Sequence, residues 1–395
     1  MPPDESTIRA LHAQMIDRLV QRGYIRTARV EAAFRAVPRH PFLPGVPLER
    51  VYSGEAIITR HGPDGNPTSS SSEPAIMAVM IEQLAPEEGN RILEIGAGTG
   101  YNAAILAVLA GREGAAITVD VDAEIVREAH DHLDRAGFAS VHVVAADGWN
   151  GVPARAPYDR IEVTVGVWDL SPFWVEQLTD GGTLVLPLWL RAGLQASIAF
   201  RQQGLCLVST SVEPCGFMRL RGMHAGPERY MRVNGWMADL EDASEGTTAI
   251  LRDLLRRTPR SQPAPDLPYG WFTWLVLEEP AAIQLSDIHD YRRSMAGIFD
   301  AQNGSLAVVE GQRILSFGSD AAMLRLREKL SRLRPVDLRA LLVEAVPSDQ
   351  PVQGKDGWVL HRPGFQFVIH EGTREGTRAR QPTSAPERYP SANHR

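Results

Sequence analysis

The sequence predicts an α/β fold built on a doubly wound, mostly parallel sheet. Short apolar runs that suit buried strands alternate with helical patterns between residues 91 and 188. The first of these runs, Arg91–Ile95, leads through three glycines into an alanine-rich helical stretch. A strand, a glycine turn and a helix in this order are typical of nucleotide sites in open α/β sheets.

The chain before this strand is expected to begin with helices. Apolar residues recur at helical spacing over residues 6–23 and 27–37, and a run of prolines then favours extended backbone. Arg39 and His40 lie among these prolines. A catalytic pair is one interpretation of them, and a solvated proline-rich turn is the favoured one.

Four consecutive serines, 69–72, precede a predicted helix over Pro74–Leu84. Their composition alone favours a flexible linker. Their position favours a role in a site, because a serine at the N-cap of a helix just before the nucleotide strand is well placed to line that site. A short strand is expected before the run, over residues 56–59.

The glycine turn has the spacing Gly96-x-Gly98-x-Gly100, and Glu94 lies just before it. This differs from the dinucleotide spacing G-x-G-x-x-G. A tighter turn preceded by an acid suits a ligand that has no pyrophosphate and carries a cationic amino-acid end. S-adenosylmethionine (SAM) is such a ligand. A plain strand-to-helix turn is the structural alternative.

Two further acids follow predicted strands. Asp120 ends the strand Ala115–Asp120, where a carboxylate can accept both ribose hydroxyls; capping the helix over residues 123–136 is a compatible role. Asp147 follows a third strand, over residues 141–145, where it could accept from an adenine amino group or simply occupy a turn. The ligand role is favoured for Asp147 because the other signals agree with it.

The remaining pattern predicts the end of this sheet and a smaller α+β region. The sheet is expected to continue over residues 161–165 and 183–188 and to close with a hairpin over 195–201 and 205–211. The second region is expected to contain helices at 247–255 and 320–333, strand-like runs at 271–277, 306–310 and 313–317, a linker at 256–268, and a hairpin over 358–361 and 366–370. Residues 371–395 are polar and proline-rich, which is typical of disorder.

Composition narrows the classes of protein. A chain of 395 residues suggests two domains, and a net charge of −7 argues against a nucleic-acid surface. Two cysteines cannot build a disulfide framework, and the beginning of the sequence lacks the apolar stretch of a signal peptide. With no apolar run long enough for a membrane span, these features predict a cytoplasmic protein; no metal site is expected.

Five motifs in order resemble the protein-L-isoaspartate O-methyltransferase family, over about residues 15–217. VPRHPFLP at 37–44 resembles its proline turn, and SEPAIMA at 72–78 lies where the family has a Ser-x-Pro motif. ILEIGAGTGY at 92–101 is similar to its cofactor loop. ADGWNG at 146–151, with APYDRI at 156–161, and QLTDGGTLVLPL at 177–188 resemble two further segments.

The resemblance implies a class I SAM-dependent methyltransferase fold, with SAM as methyl donor and S-adenosylhomocysteine as product. It implies that Ser72, with Ser71, lies near the acceptor carboxylate. It also implies that Glu94 and the glycines hold the methionine part, Asp120 the ribose, and Asp147 the adenine. The full set expected at the cofactor is Ser70, Glu94, Gly96, Ala97, Gly98, Gly100, Tyr101, Asn102, Asp120, Val121, Asp147 and Gly148.

The chain also departs from the shorter family members. It is expected to divide into a catalytic domain (1–221), an α+β domain that engages a substrate peptide (222–370) and a tail (371–395). This extra domain and the serine run resemble the lanthipeptide-associated, FxLD-type methyltransferases. That resemblance implies methylation of an aspartate in a cyclised, ribosomally made precursor peptide, leading through a methyl ester and a succinimide to isoaspartate. Repair of isoaspartyl damage in proteins is the alternative, and a non-catalytic SAM-binding protein is a third.

Overall fold

The computed structural model describes residues 4–62, 65–227, 229–240, 243–290, 293–352 and 357–372. The expected tail lies almost entirely outside these residues. The helices are α1 Glu5–Gln21, α2 Ala28–Ala36, α3 Leu48–Val51, α4 Pro74–Leu84, α5 Tyr101–Ala110, α6 Ala123–Arg135, α7 Pro172–Gln177, α8 Glu245–Leu254, α9 Trp271–Glu278 and α10 Ala321–Ser331. No helix among the described residues is long and apolar enough to span a membrane.

The strands form three sheets. A two-stranded hairpin pairs β1 Ile57–His61 with β2 Pro67–Ser71. The other strands are β3 Arg91–Ile95, β4 Ala115–Asp120, β5 His142–Ala145, β6 Tyr158–Val163, β7 Leu178–Arg191, β8 Leu194–Gln203, β9 Cys206–Pro214, β10 Arg229–Val233, β11 Trp236–Leu240, β12 Arg260–Pro263, β13 Ala282–Asp287, β14 Ser294–Asp300, β15 Ser305–Glu310, β16 Arg313–Gly318, β17 Leu341–Pro347, β18 Trp358–His361 and β19 Phe365–Glu371.

The central sheet confirms the predicted doubly wound α/β fold. Its ten strands have the order β18-β19-β17-β9-β8-β7-β6-β3-β4-β5, and the five strands from β7 to β5 pair in parallel. The chain runs from β3 outward through β4 to β5 and then returns to the other side of β3 with β6. The strand order therefore reverses next to β3, which is where open α/β sheets bind ligands.

The region after residue 222 has two parts. Strands β10 to β16 form a separate seven-stranded antiparallel sheet, which we call the second sheet, with the order β10-β11-β13-β14-β15-β16-β12. Strands β17, β18 and β19 instead extend the central sheet, because β17 pairs with β9. Helix α9 contacts both β7 and β13, and its residues Trp274 and Leu275 belong to the central hydrophobic core.

The structure corrects several interpretations of local structure. The apolar run 271–277 is helix α9, not a strand, because a short apolar run has no period that separates the two. The expected linker 256–268 contains β12, which pairs with β16. Ser69, Ser70 and Ser71 lie in β2, so the linker that composition alone favoured is not formed, and Glu73, not Ser72, occupies the N-cap position of α4. Asp122, not Asp120, caps α6.

Candidate active site

The predicted cofactor residues come together around the end of β3. A cleft of about 1140 Å³ opens there and is lined by residues that follow β3, β4 and β5 and by the serine strand β2. Every predicted site residue lines this cleft except Gly100. Gly100 is the N-cap residue of α5 at φ +86°, and a Cβ there would lie 3.2 Å from the carbonyl oxygen of Ala129. Its role is therefore to let α5 pack against α6.

The glycine turn brings backbone close to its neighbours. Gly96 has φ +107°, a conformation that side chains disfavour, and a Cβ there would lie 2.7 Å from Thr164 Oγ1. A Cβ on Gly98 would lie 3.4 Å from the carbonyl oxygen of Ser70, so the serine strand runs alongside the turn. A Cβ on Gly148 would meet Ile95 at 2.6 Å. The turn thus presents backbone to the cleft.

Two buried carboxyl groups lie at the base of the cleft. Glu94 and Glu162 are register partners on β3 and β6, and each is 1% exposed. Asn102 Nδ2 donates to both, at 2.8 Å to Glu94 Oε1 and 2.7 Å to Glu162 Oε2, and Thr118 Oγ1 donates to Glu94 Oε2 at 2.6 Å. Burial raises the pKa of Glu94 to about 8 and that of Glu162 to about 7. Both carboxyls are therefore easily protonated.

Glu162 was missed by the sequence analysis, although its sequence context resembles that of Glu94. In both cases one acid interrupts a buried apolar strand, RILEI in β3 and YDRIEV in β6. An acid in such a place needs a partner, because burying an isolated carboxylate is costly. That signal could have identified Glu162.

The base of the cleft fits the cationic amino-acid end of SAM. Glu162 Oε1 and Asn102 Oδ1 are buried and accept no hydrogen bond from the part of the chain that the structure describes. An ammonium group has three donors, so it can satisfy both oxygens. Glu94, whose oxygens already accept from Asn102 and Thr118, lies beside this position, where a bound ammonium group would favour its ionised form.

The outer part of the cleft carries the other predicted cofactor residues. Asp120 lies at the end of β4, and Arg221 Nη2 is 3.6 Å from its Oδ1. Asp147 accepts from the backbone N–H of Trp149 at 3.0 Å and so shapes the turn after β5. The Trp149 ring stacks on His224 with centroids 4.0 Å apart. Residues 215–222, after β9, complete this side of the cleft together with Ala225.

Arg39 corrects the expectation of a solvated proline-rich turn. Its side chain is fully buried, and Nη2 donates to Ser71 O, Ser71 Oγ and Ser72 O at 3.3, 3.2 and 2.9 Å. Nη1 donates to Val51 O and Glu55 O at 2.9 and 3.2 Å. Burial lowers the pKa of Arg39 to about 10, so it stays charged at neutral pH.

His40 is half-buried, and its Nδ1 lies 2.9 Å from the Tyr52 hydroxyl. The proline turn therefore anchors the serine strand from beneath through Arg39. Ser71 is buried and Ser72 half-buried, and both line the cleft.

The buried carboxyl pair predicts that stability falls as pH rises. Below the ordinary pKa of 4.5 both glutamates are protonated in the folded and unfolded states. Above it the unfolded chain loses these protons first, so the free energy of unfolding of the cofactor-free protein should fall from about pH 5 to about pH 8. Denaturant titrations across this range measure the slope. Glu162→Gln should flatten it, and an unchanged slope in that variant would contradict the assignment.

Comparison with known proteins agrees with this architecture. Residues 10–224 match the family described as Protein-L-isoaspartate(D-aspartate) O-methyltransferase. A protein-L-isoaspartate O-methyltransferase of Methanopyrus kandleri is 38% identical over 189 residues, which cover 48% of this chain and 81% of the relative. One of Hyperthermus butylicus is 33% identical over 233 residues, covering 57% of this chain and 94% of the relative.

A solved structure named protein-L-isoaspartate O-methyltransferase shares the fold over a longer range. It aligns with a TM-score of 0.53 and 23% identity, covering 92% of this chain and all of its own. The fold beyond residue 224 thus occurs in a protein of that name. The chain belongs to the protein-L-isoaspartate O-methyltransferase family and is a SAM-dependent carboxyl O-methyltransferase.

Proposed function

We propose that this enzyme methylates the side-chain carboxylate of isoaspartyl residues in peptides or proteins. The observation that carries the proposal is the continuity of one cleft, from the buried glutamates and Asp120 to the serine strand held by Arg39. The cofactor half and the acceptor half of a methyl-transfer site are thereby joined. The names of the relatives over the same residues support the isoaspartyl acceptor.

SAM supplies the methyl group on a sulfonium centre. The acceptor carboxylate is ionised at neutral pH, so it is already a nucleophile. Its oxygen forms the new bond to the methyl carbon while the carbon–sulfur bond breaks, and the bonding pair stays on sulfur. No proton has to move. The protein therefore contributes orientation and exclusion of water rather than a strong base.

The chain's residues divide these tasks. Glu94, Asn102 and Glu162 would hold the ammonium end of the cofactor, and Asp120 would accept from the ribose hydroxyls. The Ser72 hydroxyl would donate a hydrogen bond to the acceptor carboxylate. Arg39, through its bonds to Ser71 and Ser72, is a positioning residue that keeps this hydroxyl at the mouth of the cofactor site.

Ser72→Ala is expected to slow turnover without affecting the cofactor. Loss of one hydrogen bond to a charged acceptor costs about 1–3 kcal/mol, which corresponds to about 5- to 150-fold in kcat/KM for the peptide. Affinity for S-adenosylhomocysteine, measured by calorimetry, should stay unchanged. Ser331→Ala, on the exposed end of α10, is the matched control. Equal turnover by the Ser72 variant and the control would remove Ser72 from the site.

The function is tested with two synthetic peptides of one sequence that differ only in an isoaspartyl or an aspartyl residue. We expect SAM-dependent methylation of the isoaspartyl peptide, detected by mass spectrometry and by release of methanol from the ester. A clear preference for the aspartyl peptide would contradict the proposal.

The second candidate is methylation of an aspartate in a ribosomally made, cyclised precursor peptide, as in the lanthipeptide-associated enzymes. The second sheet favours it, because Tyr230, Met237 and Gln284 of that sheet line the cleft and could select one partner. The same part of the fold occurs in a protein named for isoaspartate, however, so it does not exclude the first candidate. Methylation of a cyclised precursor, with no activity on linear isoaspartyl peptides, would favour the second.

A further inference from the structure

The second sheet turns one face toward the cleft. Along β10, β11 and β13, alternate residues point into the hydrophobic core behind the sheet, among them Val233, Ala238 and Leu285. The residues between them line the cleft. We call these six the cleft face: Tyr230, Arg232, Met237, Asp239, Gln284 and Ser286.

The cleft face is ordered in cross-strand rows. Arg232 pairs with Met237 and Met237 with Ser286, and Tyr230 pairs with Asp239 in the next row. Side chains in such rows are neighbours on one surface of the sheet. The face is therefore a continuous surface made by three strands.

A buried cluster of contacts around Arg219 fixes this face against the central sheet. Arg219, after β9, forms an ion pair with Asp239 at 2.7 Å, and the two side chains are 12% and 3% exposed. The guanidinium carbon of Arg219 lies 4.0 Å from the Trp189 ring centroid and 5.2 Å from that of Tyr230. These buried contacts hold the face at a defined distance from the cofactor site.

The cleft is large enough for a second molecule beside the cofactor. Its volume of about 1140 Å³ exceeds the range of about 300–1,000 Å³ that is typical of small-ligand sites. Tyr, Met and Arg are enriched at interfaces, and Gln and Ser offer hydrogen bonds to a peptide backbone. Within the described residues, the Arg232 side chain makes no hydrogen bond or ion pair, which leaves its charge for an acidic ligand.

We propose that the cleft face binds the peptide segment that flanks the methyl-accepting residue, and that Arg232 and Met237 set the preference for longer acceptors. The inference rests on the proposed function, because it takes the acceptor to be a carboxylate within a peptide. The occupant is a peptide that lies between the second sheet and the serine strand.

The test compares a minimal acceptor, an isoaspartyl residue with capped ends, with a peptide that extends several residues on both sides. For the wild type we expect the longer acceptor to have a KM lower by about tenfold or more. The double variant Arg232→Ala, Met237→Ala should lose most of this difference while KM for the minimal acceptor and affinity for S-adenosylhomocysteine stay within about twofold. Arg252→Ala is the control, because Arg252 is exposed on α8, behind the sheet.

In parallel, both peptides are titrated into protein loaded with S-adenosylhomocysteine. Each peptide is used in an isoaspartyl and an aspartyl version. A double variant that keeps the wild-type ratio between long and minimal acceptors overturns the assignment of the cleft face alone. If the wild type neither binds nor methylates either version, the assignment of the cleft face and the proposed function are overturned together. Activity on the aspartyl version only, with the length effect intact, overturns the isoaspartyl acceptor and supports the face.

Discussion

Arg39→Ala is expected to lower the free energy of unfolding by about 3–5 kcal/mol, because five oxygen acceptors, in three buried and two half-buried hydrogen bonds, lose their donor at once. The individual losses are not additive, since a smaller side chain lets the region relax or admit water. Urea titration of the variant and the wild type measures the difference.

Arg39→Ala should also affect the acceptor half of the site more than the cofactor half. Without Arg39 the backbone at Ser71 and Ser72 is released, so kcat for the peptide should fall more than affinity for S-adenosylhomocysteine. Arg35→Ala is the control, because Arg35 lies in the last turn of α2 and pairs with Asp17 and Glu31 on the surface. Exposed pairs contribute about 0–1 kcal/mol. Equal stability of the two variants would show that the buried hydrogen bonds of Arg39 contribute little.

Gly96→Ala should abolish measurable cofactor binding, with affinity for S-adenosylhomocysteine lower by at least about 100-fold. The new Cβ would lie 2.7 Å from Thr164 Oγ1 and 3.2 Å from Val165 Cγ1, so the turn between β3 and α5 would have to move. Calorimetric titration with S-adenosylhomocysteine measures the effect.

Gly89→Ala separates the two causes of that loss, which are the positive φ and the contact of the new Cβ with its neighbours. Gly89 also has a positive φ, +85°, but a Cβ there meets nothing within 4 Å. It should show only the backbone cost of about 1–2 kcal/mol in stability and bind the cofactor normally. If Gly96→Ala bound the cofactor as well as Gly89→Ala, the close approach of Gly96 to Thr164 would not control cofactor binding.

The catalytic half of the fold could be predicted because local signals there agree with the tertiary structure. The run Arg91–Ile95, its glycines and the acid Asp120 occupy the predicted elements. The second sheet was less predictable. Strands β10, β11, β13 and β14 were missed, and α9 has the sequence WFTWLVLE, in which aromatic and branched residues favour a strand. In the structure this segment is a helix packed between the central sheet and the second sheet, so tertiary packing overrides the local preference.

Prediction of the site residues from the sequence was limited in the same way. Ser71, Ser72, Glu94 and Asp147 were identified from position along the chain, and all of them line the cleft. Arg39 was misjudged because most of its partners, among them the carbonyls of Val51, Glu55 and Ser72, are backbone groups that leave no mark in the sequence. The cleft face was missed because it depends on how the second sheet packs against Arg219.

The return of β17, β18 and β19 to the central sheet makes the second sheet an insertion rather than an appendage. Cutting the chain after residue 221 would remove three of the ten central strands along with it and bare the edge of β9. Bare strand edges favour aggregation. Loss of activity after such a cut would therefore say nothing about substrate recognition, whereas excision of the inserted strands alone would leave the catalytic sheet its full width.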